Sequence, residues 1–174
     1  KTELDLIPDK GACVLVCNHV SFVDALILAG CIKRPIRFVM YYKIFNIPVL
    51  SFIFRTANAI PIAGARENPQ LMNSAFEQIS AALEDDEIVC IFPEGKITHD
   101  GKLNPFKSGV MKILKKNPVP VVPLALRGLW GSYFSRKHGS AMSKLFPRGF
   151  FSRIELVAGE AVAADDVILK QLQQ

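Results

Sequence analysis

The sequence predicts a single α/β domain with a mostly parallel central sheet flanked by helices. Two observations carry this. Short apolar runs alternate with helix-like stretches along nearly the whole chain, the pattern of a layered α/β domain. A length of 174 residues, half of them hydrophobic, suits one domain with one sizeable core. The chain opens on Lys1 rather than methionine, so residues 1–174 read as one domain excised from a longer protein. There are no internal repeats and no low-complexity tract.

In chain order, Ala12–Cys17 reads as a buried strand, Phe22–Cys31 as an apolar helix and Ile36–Met40 as a short strand. Lys43–Arg55 reads as helical, kinked or broken at Pro48. Asn58–Ile62 is a further strand. Pro69–Leu83 is an amphipathic helix, with Leu71, Met72, Ala75, Phe76, Ile79 and Leu83 on one stripe. Glu87–Phe92 is a strand stopped by Pro93, and a loop then runs to Pro105 before a helix over Lys107–Lys116. Val119–Leu126 is a strand with prolines at its ends and within it, expected to be irregular or near an edge. Arg127–Phe150 lacks periodicity and reads as a long ligand-facing loop. Ser152–Val157 is a last strand and Asp165–Leu172 a last helix.

The formal net charge of +5 favours anionic partners such as phospholipid headgroups or phosphorylated substrates. The basic and aromatic residues fall into no nucleic-acid module, so no nucleic-acid partner is expected. The longest apolar stretches, Ala25–Ile32 and Ile47–Phe54, fall short of the roughly 18 residues that span a bilayer. No signal peptide is visible in the sequence given. Cys13, Cys17, Cys31 and Cys90 include no Cys-x-x-Cys pair and sit in apolar contexts, as small hydrophobes do. That argues for a reducing compartment. A zinc site from Cys13, Cys17, His19 and Cys31 is disfavoured, because the first two lie four apart along a strand.

In open α/β sheets ligands sit outside the carboxyl ends of the strands. Chemistry is therefore sought in the loops that follow strands. The segment Val14–Asp24 runs from strand to turn to helix and puts His19 just past a strand end. Histidine titrates near neutral pH and is the default general base. Inside one helix His19 and Asp24 would point about 140° apart. They meet if His19 lies in the turn and Asp24 in the first helical turn. Asp24 then accepts one ring proton and leaves the other nitrogen to take a proton from a hydroxyl, a base held by an orienting acid without a serine nucleophile. The alternative is structural: Ser21-x-x-Asp24 resembles a capping box, with Asp24 favouring the helix N-terminus. The two roles are compatible.

A second constellation follows the strand that ends at Phe92. Gly95 permits close backbone approach, and Glu94 can bind a hydroxyl or pair with a basic group. Lys107, beside a helix start, is a phosphate candidate. Each alone reads as an ordinary loop residue. His99 and His138 lie in polar loops and read as solvated.

Together these segments resemble the PlsC-like glycerolipid acyltransferase family, that of 1-acylglycerol-3-phosphate acyltransferases. The family's first block, Asn-His-x4-Asp, matches Asn18-His19 through Asp24. Its Phe-Pro-Glu-Gly block matches Phe92-Pro93-Glu94-Gly95, a Phe-Lys-x-Gly follows as Phe106–Gly109, and a Val-Pro strand block matches Val121–Leu124. The order and separations match over about residues 12–160. The family's remaining block places a phosphate-binding arginine after a strand. Here Arg66 sits later than the pattern, and Pro61 interrupts the strand. The run Leu126–Arg136 also looks similar to acyltransferase domains fused to lysophospholipid transporters.

The resemblance implies a glycerol-phosphate acyltransferase-like fold and an O-acyltransferase of phospholipid biosynthesis or remodelling. It would move an acyl group from acyl-CoA or acyl-ACP to a lysophospholipid hydroxyl. His19 would be the base and Asp24 its orienting acid. Asn18, Ser21, Arg66, Phe92, Pro93, Glu94, Gly95 and Lys107 would bind substrate. No metal and no cofactor beyond the acyl thioester co-substrate are expected. The location implied is the cytoplasmic face of a membrane, the bacterial inner membrane, peripherally or within a membrane protein, with acyl carrier protein a further partner. Tyr41–Phe54, apolar and rimmed by Lys33, Arg34, Arg37, Lys43 and Arg55, is either an interfacial surface or core. Arg136, Lys137, Lys144, Arg148 and Arg153 form a second basic patch or a solvated face. A lipid-binding module without turnover and a thioesterase or lipid hydrolase remain the rival readings.

Overall fold

The computed structural model describes residues 4–137 and 153–173. After a short 3-10 turn at Leu4–Leu6 come β1 (Cys13–Cys17), α1 (Asp24–Cys31) and β2 (Ile36–Tyr41). A 3-10 turn at Tyr42–Asn46 leads into α2 (Pro48–Thr56), β3 (Ile60–Ile62), α3 (Pro69–Glu84) and β4 (Ile88–Ile91). The chain continues with α4 (Gly109–Lys116), β5 (Val121–Arg127) and β6 (Glu155–Ala158). The sheet runs β3-β2-β4-β1-β5-β6. Its first five strands are parallel, and β6 closes one edge antiparallel to β5.

The mostly parallel sheet expected from the alternation is the one found, and burial explains it. Helices cover both faces, so a central strand reads as an unbroken apolar run. All five residues of β1 are buried. Cys13, Leu15 and Cys17 point to one face, where Ala25 and Leu28 of α1 cover them. Val14 and Val16 point to the other, against Ala75, Ile79 and Leu83 of α3 and Val110, Ile113 and Leu114 of α4. Helix α3 begins as its sequence suggests: Pro69 opens it, and the Asn68 side chain accepts from the Leu71 amide at 2.9 Å.

Two expectations hold in one of their two forms, and two element ends differ. β5 is near an edge, one position in from it, and is a regular seven-residue strand. The carbonyl of Pro123 accepts from Gly159 at 2.8 Å. In a strand the N and O of one residue face the same side, so the missing proline N–H falls beyond the end of β6 at Ala158 and leaves the β1–β5 ladder intact. Lys43–Arg55 is broken at Pro48, as one of the two expected forms had it: a 3-10 turn precedes it, and Pro48 starts α2 at a first-turn position where its missing N–H has no partner to lose. The expected last helix is a 3-10 turn at Ala164–Asp166 followed by a single turn. Ser152, at the start of the expected last strand, lies outside the described residues, and β6 begins at Glu155.

Among the described residues no helix is long and apolar enough to cross a membrane. Beyond β5, Gly128 has φ +86°, and the Arg153 carbonyl occupies the space a Cβ would take. Only glycine lets the two segments approach so closely. The loops after β1, β2, β3, β4 and β5 all emerge at the same edge of the sheet, because those strands are parallel.

Candidate active site

His19 follows β1 by two residues, and its amide, its carbonyl and ring Nδ1 are each held by a different part of the chain. Asn18 begins the anchoring. Its Nδ2 donates to the Leu126 carbonyl at 3.0 Å, and its Oδ1 accepts from the Leu126 amide at 2.7 Å. The side chain thus extends the β1–β5 ladder past Cys17↔Leu124, after the β1 backbone has turned away. The His19 amide donates to Glu94 Oε1 at 2.7 Å, and its carbonyl accepts from the Thr98 amide at 3.0 Å. The ring stacks on Phe92, centroids 4.4 Å apart and planes 23° from parallel. Ring Nδ1 lies 2.9 Å from Asp24 Oδ2, while 23 % of the side chain stays accessible.

Asp24 is the first residue of α1 and is fully buried. Its Oδ2 accepts from the Val20 amide at 2.7 Å and the Ser21 amide at 2.9 Å. Its Oδ1 accepts from Ser21 Oγ at 2.6 Å. A carboxylate removed from water is tolerable when N–H and O–H donors replace its hydration. The helix N-terminus adds favourable potential. Of the expected capping box the carboxylate half forms, the Ser21 amide donating back to Asp24. Val23 is the N-cap, and no side chain caps the helix. The Ser21 hydroxyl instead joins Asp24 to the turn and accepts weakly from the Val23 amide at 3.3 Å.

Glu94 is the second buried carboxylate, 2 % exposed. It accepts from the His19 amide, from the Asn104 amide at 2.7 Å and from Asn104 Nδ2 at 2.8 Å. It ties the turn after β1 to the loop before α4. Gly95 has φ +63°, and Lys107 Nζ lies where a Cβ would sit. The missing side chain lets the ammonium fold over the loop. The Lys107 amide donates to the Pro93 carbonyl at 2.9 Å, two residues before α4 starts.

The structure therefore brings together His19, Asp24, Asn18, Ser21, Phe92, Pro93, Glu94, Gly95 and Lys107. Among them, the polar groups of Asn18, Ser21 and Glu94 hydrogen-bond within the protein, and Pro93 is buried. Arg66 is exposed in the turn after β3, at the same sheet edge but three strand positions from β1, roughly 14 Å away at normal strand spacing. Asn104 and Thr98 were missed. Nothing local marks them, since Asn and Thr are ordinary loop residues.

Near Arg66, Glu67 accepts from Tyr41 Oη at 2.7 Å and pairs with Lys43 Nζ at 3.0 Å. These contacts hold the Glu67 carboxyl below its ordinary value, Tyr41 contributing most. His99 is exposed and lies 3.2 Å from Arg136. His138, Lys144 and Arg148 lie outside the described residues, so the second basic patch is described only at Arg136, Lys137 and Arg153.

All four cysteines are free thiols, but their environments differ. Burial pushes Cys13 up to about 11, with Arg34 partly offsetting it. Burial raises Cys17 well above the ordinary thiol value, reinforced by the charges of Cys90, Asp24 and Glu94. Cys90 is raised by burial and by Asp24. Cys31 is exposed, contrary to its expected apolar burial, because it closes the short helix α1 on its outer side. Thiolate is the reactive form. Thiol titration of the native chain near pH 8 should therefore count one reactive group, lost in Cys31→Ser, and four after denaturation.

The parallel sheet, the His19–Asp24 pair after its central strand and the Phe92–Gly95 loop beside it define a class. The chain belongs to the acyltransferase family, whose model matches residues 1–127. Among its relatives, a chloroplastic 1-acyl-sn-glycerol-3-phosphate acyltransferase of Brassica napus is 30 % identical over 86 % of this chain. Another, from Arabidopsis thaliana, is 30 % identical over 66 % of it. The chain spans 44 % and 32 % of the lengths of these two relatives. The crystal structure of the 1-acyl-sn-glycerophosphate acyltransferase PlsC from Thermotoga maritima shares the fold, with a TM-score of 0.69 at 22 % identity. That match covers 97 % of this chain and 64 % of the other.

Proposed function

We propose that the chain is the catalytic domain of an O-acyltransferase. It transfers a fatty acyl group from an acyl-CoA or acyl-ACP thioester to the free hydroxyl of 1-acylglycerol-3-phosphate or another lysophospholipid. The observation that carries this reading is the 2.9 Å contact between His19 Nδ1 and the fully buried Asp24, with the ring still partly accessible. Two relatives named for that acceptor support it.

Held through Nδ1, His19 has Nε2 as the nitrogen that takes the acceptor's hydroxyl proton. The oxygen attacks the thioester carbonyl, and a C–O bond forms. The intermediate then collapses with loss of the C–S bond. The imidazolium returns the proton to the departing thiolate, so the products are an ester and a free thiol. Asp24 stabilises the imidazolium while it exists. Both groups are side chains, so the step as written uses no metal or cofactor. Lys107, drawn over Gly95, is the nearer phosphate contact, and Arg66 would reach the same headgroup from the far strands.

The proposed setting is a cytoplasmic membrane surface. Phe52 is 74 % exposed on α2, with Ile47 and Ile53 also exposed beside it and Arg55 on the same helix. Among the described side chains of that stretch only Phe54 is buried, so α2 leaves apolar side chains outside. Replacing Phe52 with glutamate should lower partitioning onto anionic vesicles about tenfold or more and leave the melting temperature unchanged. An immersed aromatic is worth about 1.5–3 kcal/mol. Unchanged partitioning would remove α2 from the contact.

The function is tested by offering acyl-CoA and acyl-ACP donors against several lysolipids, with His19→Ala as control. Transfer lost in the variant supports the enzyme and identifies its acceptor. Free fatty acid released without an acceptor favours the thioesterase. Lipid binding without turnover in the full-length protein favours the binding module.

A further inference from the structure

Outside the catalytic turn, the outer flank of α1 carries an unassigned groove. Its smaller part, about 310 Å³, lies between Val23, Leu26 and Ile27 of the α1 region and Leu129, Phe134 and Ile154. Ser132 also lines it. That hydroxyl is out of keeping with its neighbours: Ser132 is 5 % exposed, and its Oγ has no hydrogen-bond partner among the described residues. A buried hydroxyl left unpaired is costly, and such groups call for a partner the protein itself does not supply.

The groove continues past Ile27 and Ile154 into a larger cavity of about 550 Å³ toward Leu4 and Cys31, with Arg127, Arg153 and Glu155 among its lining and Arg127 3.8 Å from Glu155. From Val23 to Cys31 the two run about 12 Å along the helix. The rim is unusually apolar, with Leu26 48 % and Ile154 42 % exposed. At its other end the groove adjoins the catalytic turn. Ser21, which donates to Asp24, bridges Ser135, and the Phe22 amide donates to the Phe134 carbonyl at 3.4 Å.

We propose that this groove receives the acyl chain already carried by the acceptor lipid, and that Ser132 Oγ donates to the ester carbonyl of that chain. The inference rests on the acyltransferase reading above. Three features fit one ligand in order. In a 1-acylglycerol phosphate the free hydroxyl and the ester sit on adjacent carbons. With the hydroxyl at His19, the ester falls beside the turn that holds Ser132, and the chain runs along the apolar flank of α1. Arg127 and Arg153 then stand where the groove opens, suited to anionic headgroups of surrounding lipid. Ser132 is a specificity-determining residue in this arrangement and takes no part in proton transfer.

The test uses the full-length protein and two acceptors that differ in one group, 1-oleoylglycerol-3-phosphate and its 1-alkyl ether analogue, which lacks the carbonyl. The wild type should show a KM about threefold to tenfold lower for the ester, the range of one neutral hydrogen bond. Ser132→Ala should raise the ester KM to the ether value and leave the ether KM and both kcat values unchanged. Ile27→Trp, which fills the groove, should raise KM for the oleoyl acceptor and spare a hexanoyl one. Equal KM values for ester and ether in the wild type would overturn the proposal. So would an Ile27→Trp effect independent of chain length. If no acceptor is acylated, the acyltransferase reading fails by itself. Equilibrium binding of radiolabelled 1-oleoylglycerol-3-phosphate then decides the groove: weaker binding in Ser132→Ala supports it, and equal binding sinks it.

Discussion

Replacing His19 with alanine is expected to reduce acyl transfer about 10²–10⁴-fold, the usual worth of a positioned general base. The fold should survive. The ring is partly accessible, and its removal takes away the Phe92 stack and one acceptor contact. The backbone bonds to Glu94 and Thr98 do not depend on the side chain. The measurement is kcat/KM for the best acceptor alongside thermal melting. A variant that melts like the wild type and still transfers at the wild-type rate would remove His19 from the chemistry. Loss of activity with loss of fold would be read against His19→Gln, which keeps a polar group in the turn.

Asp24 should separate two effects that His19 cannot. Asp24→Ala removes an acceptor serving the Val20 and Ser21 amides, the Ser21 hydroxyl and the His19 ring. All of these lie at or near a fully buried position. Unpaired buried donors cost about 1–3 kcal/mol each, only part of which relaxation recovers, so a loss of about 3–5 kcal/mol is expected. Asp24→Asn is the informative variant. Its amide oxygen can keep the Val20, Ser21 and His19 donors, and the Ser21 hydroxyl can rotate to accept from its NH₂ group. Stability should therefore fall much less. The charge that stabilises an imidazolium is gone, however, and transfer should drop about 10²–10⁴-fold. If Asp24→Asn melts early but transfers normally per folded molecule, Asp24 is a structural anchor alone.

These two residues were also the most legible in the sequence. Their five-residue spacing across a strand-to-helix junction allows a meeting in one arrangement, a ring in the turn and a carboxylate in the first helical turn, and that arrangement forms. The sheet was equally legible. Alternating runs fix the element types, and the parallel order follows from needing a crossover helix between strands. Element ends were less so. Pro48 reads the same from sequence whether it kinks a helix or breaks it, and Asp165–Leu172 packs Val167, Leu169 and Leu172 on the core through turns and not through a helix.

What the sequence determined alone was the set of loops that share one edge of the sheet, because parallel strands bring every following loop to the same side. It also determined the pairing of His19 with Asp24, because those residues are close in the chain. What only the tertiary structure decided was the work of the residues around them. Asn18 splices β1 to β5 across 108 positions, and Glu94 reaches the His19 amide across 75. Arg66 stays three strands away, and Ser132 is buried beside α1 with no hydrogen-bond partner for its Oγ among the described residues. Periodicity and spacing report on neighbours within a few turns or pleats. A hydrogen bond between distant loops depends on the sheet order, and that order is set by the burial of both faces at once.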